Sequence, residues 1–163
     1  MFLNKRKVIL LISISSLIIF LIFNQIKSQE LRVVDGDTIH LNGEKIRFTG
    51  IDSPELKQTC SKEGLTEPCG ATSKEILVDK IGDNKVNCIS EGKDQYKRTL
   101  AECFVNDESL SSYLVRNGYA FAYREYSKKF IPDEDYAKAN KIGMWSMNFD
   151  YPWDYRKAFS DKL

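Results

Sequence analysis

Residues 8–23 read VILLISISSLIIFLIF, sixteen positions without a charge, and no comparable run recurs in the chain. Such a helix would span about 24 Å, short of the roughly 30 Å hydrocarbon core of a bilayer. Asn24, Gln25 and Ile26 nearly close the gap. Ile, Val and Ser fall on every face without a polar stripe, which argues against a buried core helix. Lys5, Arg6 and Lys7 precede the run, the arrangement of a secretory signal or a short membrane anchor. No small-x-small pair precedes a cleavage point, so an uncleaved anchor is favoured over a cleaved signal. Either reading leaves the basic end in the cytoplasm and the rest of the chain outside.

From Leu31 onward the pattern shortens to alternating segments. Leu31 to Val34 and Thr38 to Leu41 read as strands. Asn42-Gly43 then gives a strong hairpin signal. Lys45 to Ile51 is a third strand, with Ile46, Phe48 and Gly50 on one face and Arg47, Thr49 and Ile51 on the other. Residues 53–69 read as a polar loop with two prolines. Gly70 to Lys80 is a helix. Lys85 to Ser90 and Arg98 to Val105 form a second hairpin around Asp94 to Lys97. Ser109 to Asn117 is a helix stopped by Gly118. Tyr119 to Tyr123 is a short strand, and Pro132 to Lys141 a helix with proline near its start. The last twenty residues, with Trp145, Trp153 and Tyr155, form a packed tail. The expected organisation is a signal or anchor over 1–28, one domain over 29–148, and a tail over 149–163 docked on it. About five strands with interspersed helices predict a small twisted barrel with a ligand site at its mouth.

The net charge of +1 conceals an asymmetry. Residues 1–28 carry +4, so the remaining 135 residues, with 20 Lys+Arg against 23 Asp+Glu, carry −3. A generally basic surface is excluded, and any nucleic-acid contact must come from a local basic site. Four cysteines in an exported body suggest two disulfides, although four allow three pairings. Counting outward from the second hairpin turn sets Cys88 opposite Cys103, within disulfide reach. Cys60 and Cys69 then close a local loop; free buried thiols are the alternative. Zinc is poorly supported: there is no C-x-x-C, and the only histidine, His40, is distant in sequence.

The densest polar segment is VVDGDTIHLNGEKIRFTGIDSPE, residues 33–55. Asp35 and Asp37 start one strand and Asp52 ends the strand paired with it, so carboxylates can converge at one end of a hairpin. That is what a hard divalent cation wants, Ca²⁺ especially. Arg47 offers a planar donor matched to phosphate oxygens. Glu55, after Pro54, is free to act as a base. A metal, a carboxylate base and guanidinium groups together make a phosphodiesterase set.

This segment, with DQYKRTLA, LVRNGYAFAY and KIGMWS after it, resembles the staphylococcal nuclease (thermonuclease) family over about residues 31–147. D-G-D-T alone would be weak; followed ten residues later by R-x-x-G-I-D-x-P-E it is strong. The resemblance implies an OB-fold five-stranded barrel with about three helices, here preceded by an N-terminal hydrophobic helix. It implies Asp37 and Asp52 as calcium ligands, with the Ser53 carbonyl, and Asp35 acting through water. Glu55 would be the general base. Arg47 and Arg98 would bind the scissile phosphate, with Arg98 favouring the leaving 5′ oxygen. Tyr96, and Tyr123 or Tyr126, would line the nucleotide pocket. The implied activity is Ca²⁺-dependent hydrolysis of DNA and RNA, with little sequence preference, to 3′-phosphate and 5′-hydroxyl ends. A monomer without an obligate protein partner is expected, outside the cytoplasm and attached to the membrane by its N-terminal segment, or secreted. Two departures stand out. Lys97 occupies a turn position where the family has glycine, and the body is acidic, which predicts poor long-range steering of nucleic acid. The alternatives are a non-catalytic nucleic-acid or protein-binding barrel, or an exported structural domain with a vestigial site.

Overall fold

The protein is described from a computed structural model over residues 29–160. The apolar run 8–23 lies outside the described residues. Strands β1 (Leu31–Val33), β2 (Thr38–Leu41) and β3 (Glu44–Phe48) form an antiparallel meander. The turn between β2 and β3 holds Asn42 at φ 51° and Gly43 at φ 84°, the two left-handed residues of a hairpin whose twist matches its strands. The third strand does not continue to Ile51. Gly50, at φ 72°, ends the alternation, and β4 (Ile51–Asp52) starts in a new direction. Ile51 and Asp52 are consequently both buried, where unbroken alternation would separate them.

Residues 53–69 hold more structure than the expected loop. β5 (Cys60–Lys62) and β6 (Leu65–Glu67) pair across Glu63-Gly64. Helix α1 (Cys69–Ile81) follows, then β7 (Asn87–Lys93) and β8 (Thr99–Val105), a hairpin bulged between Ser90 and Gly92. β9 (Glu108–Ser109) folds back on β8 and runs into α2 (Leu110–Arg116), capped where the Ser112 N–H donates to Ser109 Oγ. β10 (Phe121–Ala122), α3 (Ile131–Ala139), a 3₁₀ turn (Gly143–Ser146) and α4 (Pro152–Ser160) complete the chain. The tail therefore supplies a fourth helix, beyond the three expected.

β8 lies parallel to β3, so the main sheet runs β1-β2-β3-β8-β7 and curls into a half-barrel consistent with the OB fold. At its open side the Gln29 side chain imitates a strand: its amide donates to the Val86 carbonyl at 2.7 Å and accepts the Val86 N–H at 2.9 Å. The core between the sheet and helices α1 and α2 holds Ile39, Ile46, Phe48, Leu77, Leu110 and Leu114, all essentially buried. A second cluster centres on buried Phe121, ringed by Trp145, Phe149, Tyr151 and Trp153 at centroid distances of 5.0–6.3 Å. It fastens α4 and the preceding segment to β10. Cys60 joins Cys69 beside this cluster, and Cys88 joins Cys103 across the β7–β8 ladder at the register foreseen.

The turn before β8 is built around Asp94, whose Oδ1 accepts the N–H groups of Tyr96 and Arg98, both at 2.9 Å. Lys97 sits there at φ 64°. A β-carbon in this left-handed region costs about 1–2 kcal/mol, part of which glycine returns through its more flexible unfolded chain. Lys97→Gly is therefore expected to stabilise the protein by about 0.5–1 kcal/mol, read as a higher urea midpoint at unchanged slope. A lower midpoint would show that the lysine side chain holds the turn.

Candidate functional site

β3 carries Arg47 out at the end of the half-barrel where the chain before β2 and the short β4 meet. The Asp35–Asp37 turn is held close: Asp35 accepts the Asp37 N–H at 3.1 Å, and the Phe48 N–H donates to the Asp37 carbonyl at 2.8 Å. Gly36 lets this turn press against its neighbours. A β-carbon there would lie 2.8 Å from Ser53 Oγ and would also meet Ser73 Oγ on α1. The approach brings Asp37 Oδ2 to the Ser53 N–H, 2.7 Å away.

Asp37 and Asp52 are both buried, at 2% and 0% exposure. One guanidinium lies between them. Arg47 Nη1 pairs with Asp37 Oδ1, and Nη2 reaches Asp52 Oδ1 at 2.6 Å. Two carboxylates at zero exposure would repel each other and lose hydration; the bridging cation offsets both penalties. Burial still pushes the Asp37 carboxyl up to about 6, with Arg47 opposing. Desolvation pulls the Arg47 proton the other way, but Asp37 and Asp52 outweigh it and raise its pKa.

Asp52 has a second guanidinium. Arg156, from α4, reaches Asp52 Oδ2 at 2.7 Å and Oδ1 at 3.2 Å, and its Nη1 also contacts Glu55 Oε1 at 2.9 Å. Glu55 is therefore not the free carboxylate that the sequence suggested. Its loop is fixed by buried Gln58, whose side chain accepts the Glu55 N–H at 3.2 Å and donates to the Asp150 carbonyl at 2.7 Å. Neither Arg156 nor Gln58 was singled out in the sequence. Gln58 sits three residues after Glu55, but its burial shows only in the fold; Arg156 lies 101 positions away and carried no local signal.

A cavity of about 890 Å³ opens over this cluster, and Arg47, Glu55, Arg98, Tyr96, Tyr123 and Tyr126 all line it. Ser53 and Asp37 form part of its wall, while Asp52 lies behind Arg47 and Arg156. Arg98 comes from the opposite side, held through Nε by Asp94 at 2.7 Å. Tyr96 and Tyr126 are 72% and 73% exposed. Tyr123 is partly covered: Trp153 stacks on it at 5.5 Å with a 4° interplanar angle. Arg47, Glu55, Arg98, Asp37 and Ser53 thus line one space, with Asp52 behind it and Tyr96, Tyr123 and Tyr126 also in the lining. The four cysteines lie in the framework.

Among the described residues, no three His, Cys, Asp or Glu side chains are grouped to hold a metal ion. The donor set suits a hard cation nonetheless. Asp37 and Asp52 are all-oxygen, anionic, buried, and close enough to share a single cation, Arg47.

The family described as staphylococcal nuclease homologue matches residues 45–147. An "Uncharacterized endonuclease" of Haemophilus influenzae is 29% identical over 156 residues, covering 88% of this chain and 81% of that protein. The "SPbeta prophage-derived endonuclease YokF" of Bacillus subtilis is 30% identical over 130 residues, covering 72% and 43%. The "Probable staphylococcal-like nuclease CAN3" of Oryza sativa is 34% identical over 116 residues, covering 69% of this chain and 28% of the rice protein. The chain thus spans under half of the rice and Bacillus relatives.

Folded Asp37 keeps its proton up to about pH 6, while an ordinary aspartate releases it near 3.8. Between these values the native state binds more protons than the unfolded chain, so this group removes stability as pH rises. Asp37→Asn abolishes that titration. In metal-free urea melts, the wild type's stability relative to the variant is expected to fall from pH 3.8 to about 6. A difference that stays constant through the window would contradict it.

Proposed function

The chain belongs to the staphylococcal nuclease homologue family, and on that premise we propose that it is a calcium-dependent nuclease, hydrolysing DNA and RNA with little sequence preference to 3′-phosphate and 5′-hydroxyl ends. The observation that carries the reading is that Arg47, Glu55 and Arg98 face one cavity with Asp37 in its wall, and Asp52 lies directly behind Arg47. Relatives named as nucleases or endonucleases support the enzymatic reading.

Asp37 and Asp52 would hold the calcium ion, with the Ser53 carbonyl and water completing its shell and Asp35 acting through water. Bound there, the ion supplies positive charge beside the phosphodiester oxygens. Arg47 and Arg98 approach from two sides, so their guanidiniums bracket a phosphate in the cavity. Charge on its oxygens grows as water adds, and fixed donors aimed at that charge lower the barrier. Glu55 takes the proton of the attacking water, its carboxylate positioned by the loop that Gln58 secures. Arg98 stabilises the departing 5′ oxygen. Bases stack on Tyr96 and Tyr126, with Tyr123 beside them, which reads aromatic faces rather than sequence.

The location follows from the N-terminal segment: a body held outside the cytoplasm by residues 8–23, or released when they are cleaved. A binding-only barrel has little use for a base and two arginines around one carboxylate pair.

The test is cutting of single-stranded DNA in Ca²⁺, with a chelator as control. Arg47→Ala is expected to lower kcat about 10²–10³-fold and Glu55→Ala about 10²–10⁴-fold. DNA bound but left intact by the wild type would favour the binding module. Undiminished cutting by the double variant would remove the assigned site.

A further inference from the structure

Asp52 is capped twice. Arg47 takes Oδ1 at 2.6 Å, and Arg156 takes Oδ2 at 2.7 Å while also touching Oδ1 at 3.2 Å. Were Arg47 to turn into the cavity towards a phosphate, Asp52 would remain covered. The same Arg156 guanidinium spans to Glu55 Oε1 at 2.9 Å. One side chain from the last helix thus occupies the two carboxylates that the proposed reaction needs free. Its place is built: Tyr151 and Trp153 stack at 4.6 Å and 10°, and Trp153 stacks in turn on Tyr123. These rings anchor the start of α4 and deliver Arg156 one turn later over Asp52.

The charges agree. Asp35, Asp37, Asp52 and Glu55 face Arg47 and Arg156, four negative charges against two positive. Asp52 is fully buried and cannot turn to solvent. The Arg156 side chain is 40% exposed and can. When a cation arrives, Arg156 is the partner that yields.

We propose that Arg156 is an internal counter-cation that competes with the divalent metal for Asp52, so that it sets the metal affinity of the site and holds Glu55 paired until metal binds. The inference rests on the calcium reading above. Arg47 and Arg156 already occupy both Asp52 oxygens, so a metal ion that takes the oxygen Arg156 holds must displace it, and metal binding and Arg156 docking oppose each other by a coupling energy, acting equally in both directions.

Calorimetric titration of Ca²⁺ into the detergent-solubilised full chain tests it, comparing wild type, Arg156→Gln, Arg156→Lys and Asp52→Asn. Arg156→Gln is expected to bind Ca²⁺ about 5- to 150-fold more tightly than wild type, the usual range for coupled sites. Arg156→Lys, which keeps the charge but loses the two-pronged grip, is expected to bind more tightly by a smaller factor. It carries the comparison should the glutamine variant unfold. A merely structural arginine would lower thermal stability without tightening calcium. Wild-type binding that Asp52→Asn abolishes, with no gain in either Arg156 variant, overturns the competition and leaves the calcium reading standing. Isotherms indistinguishable from Asp52→Asn in wild type and both Arg156 variants overturn both.

Discussion

Two buried carboxylates placed side by side govern this molecule. Asp37 and Asp52 have almost no exposure, and neither charge persists there without a cation against it. Arg47 satisfies both at once, which requires the chain before β2, the end of β3 and the start of β4 to meet within the span of one guanidinium. Gly36 allows the first approach by having no side chain where Ser53 sits, and Gly50 allows the second by turning the chain between β3 and β4. Removing Arg47 would leave Asp37 buried without its ion pair, a loss of about 3–5 kcal/mol. With Asp35 and Glu55 beside Asp37 and Asp52, the acids of the site outnumber the two guanidiniums that meet them.

The rest of the fold supplies supports around this point. The curled sheet gives Arg47 a rigid strand, and β8 brings Arg98 to the far side of the cavity through the Asp94 turn. The Phe121 cluster looks like an auxiliary core but has a positional role. By packing the tail against β10, it carries the Asp150 carbonyl to Gln58 and α4 to Asp52. The body is acidic, and the cavity sets Arg47, Lys93, Arg98, Lys129 and Arg156 among acidic side chains. Association is then expected to depend on contact more than on long-range attraction.

Much of this was legible in the sequence. Strong local signals marked the elements that depend on near neighbours: the Asn42-Gly43 hairpin, the opposition of Cys88 and Cys103, the helix stopped by Gly118, and the segment from Asp35 to Glu55. The β5–β6 hairpin went unread because Glu63-Gly64 is a weak turn pair and the flanking residues do not alternate cleanly. The break at Gly50 was also missed, since one left-handed glycine inside an alternating run looks like a strand residue.

The sequence by itself determined the chemistry available: which acids, which arginines, and the short spacings that put Arg47 near Asp37 and Asp52. Those contacts span sixteen positions or fewer and follow from hairpin geometry. Only the tertiary structure decided which cations cap those acids. Arg156 is 104 positions from Asp52, and nothing local marks it out among the other basic residues. Its position depends on where aromatic packing sets down the last helix, a sum of many weak contacts rather than a pattern in any one segment.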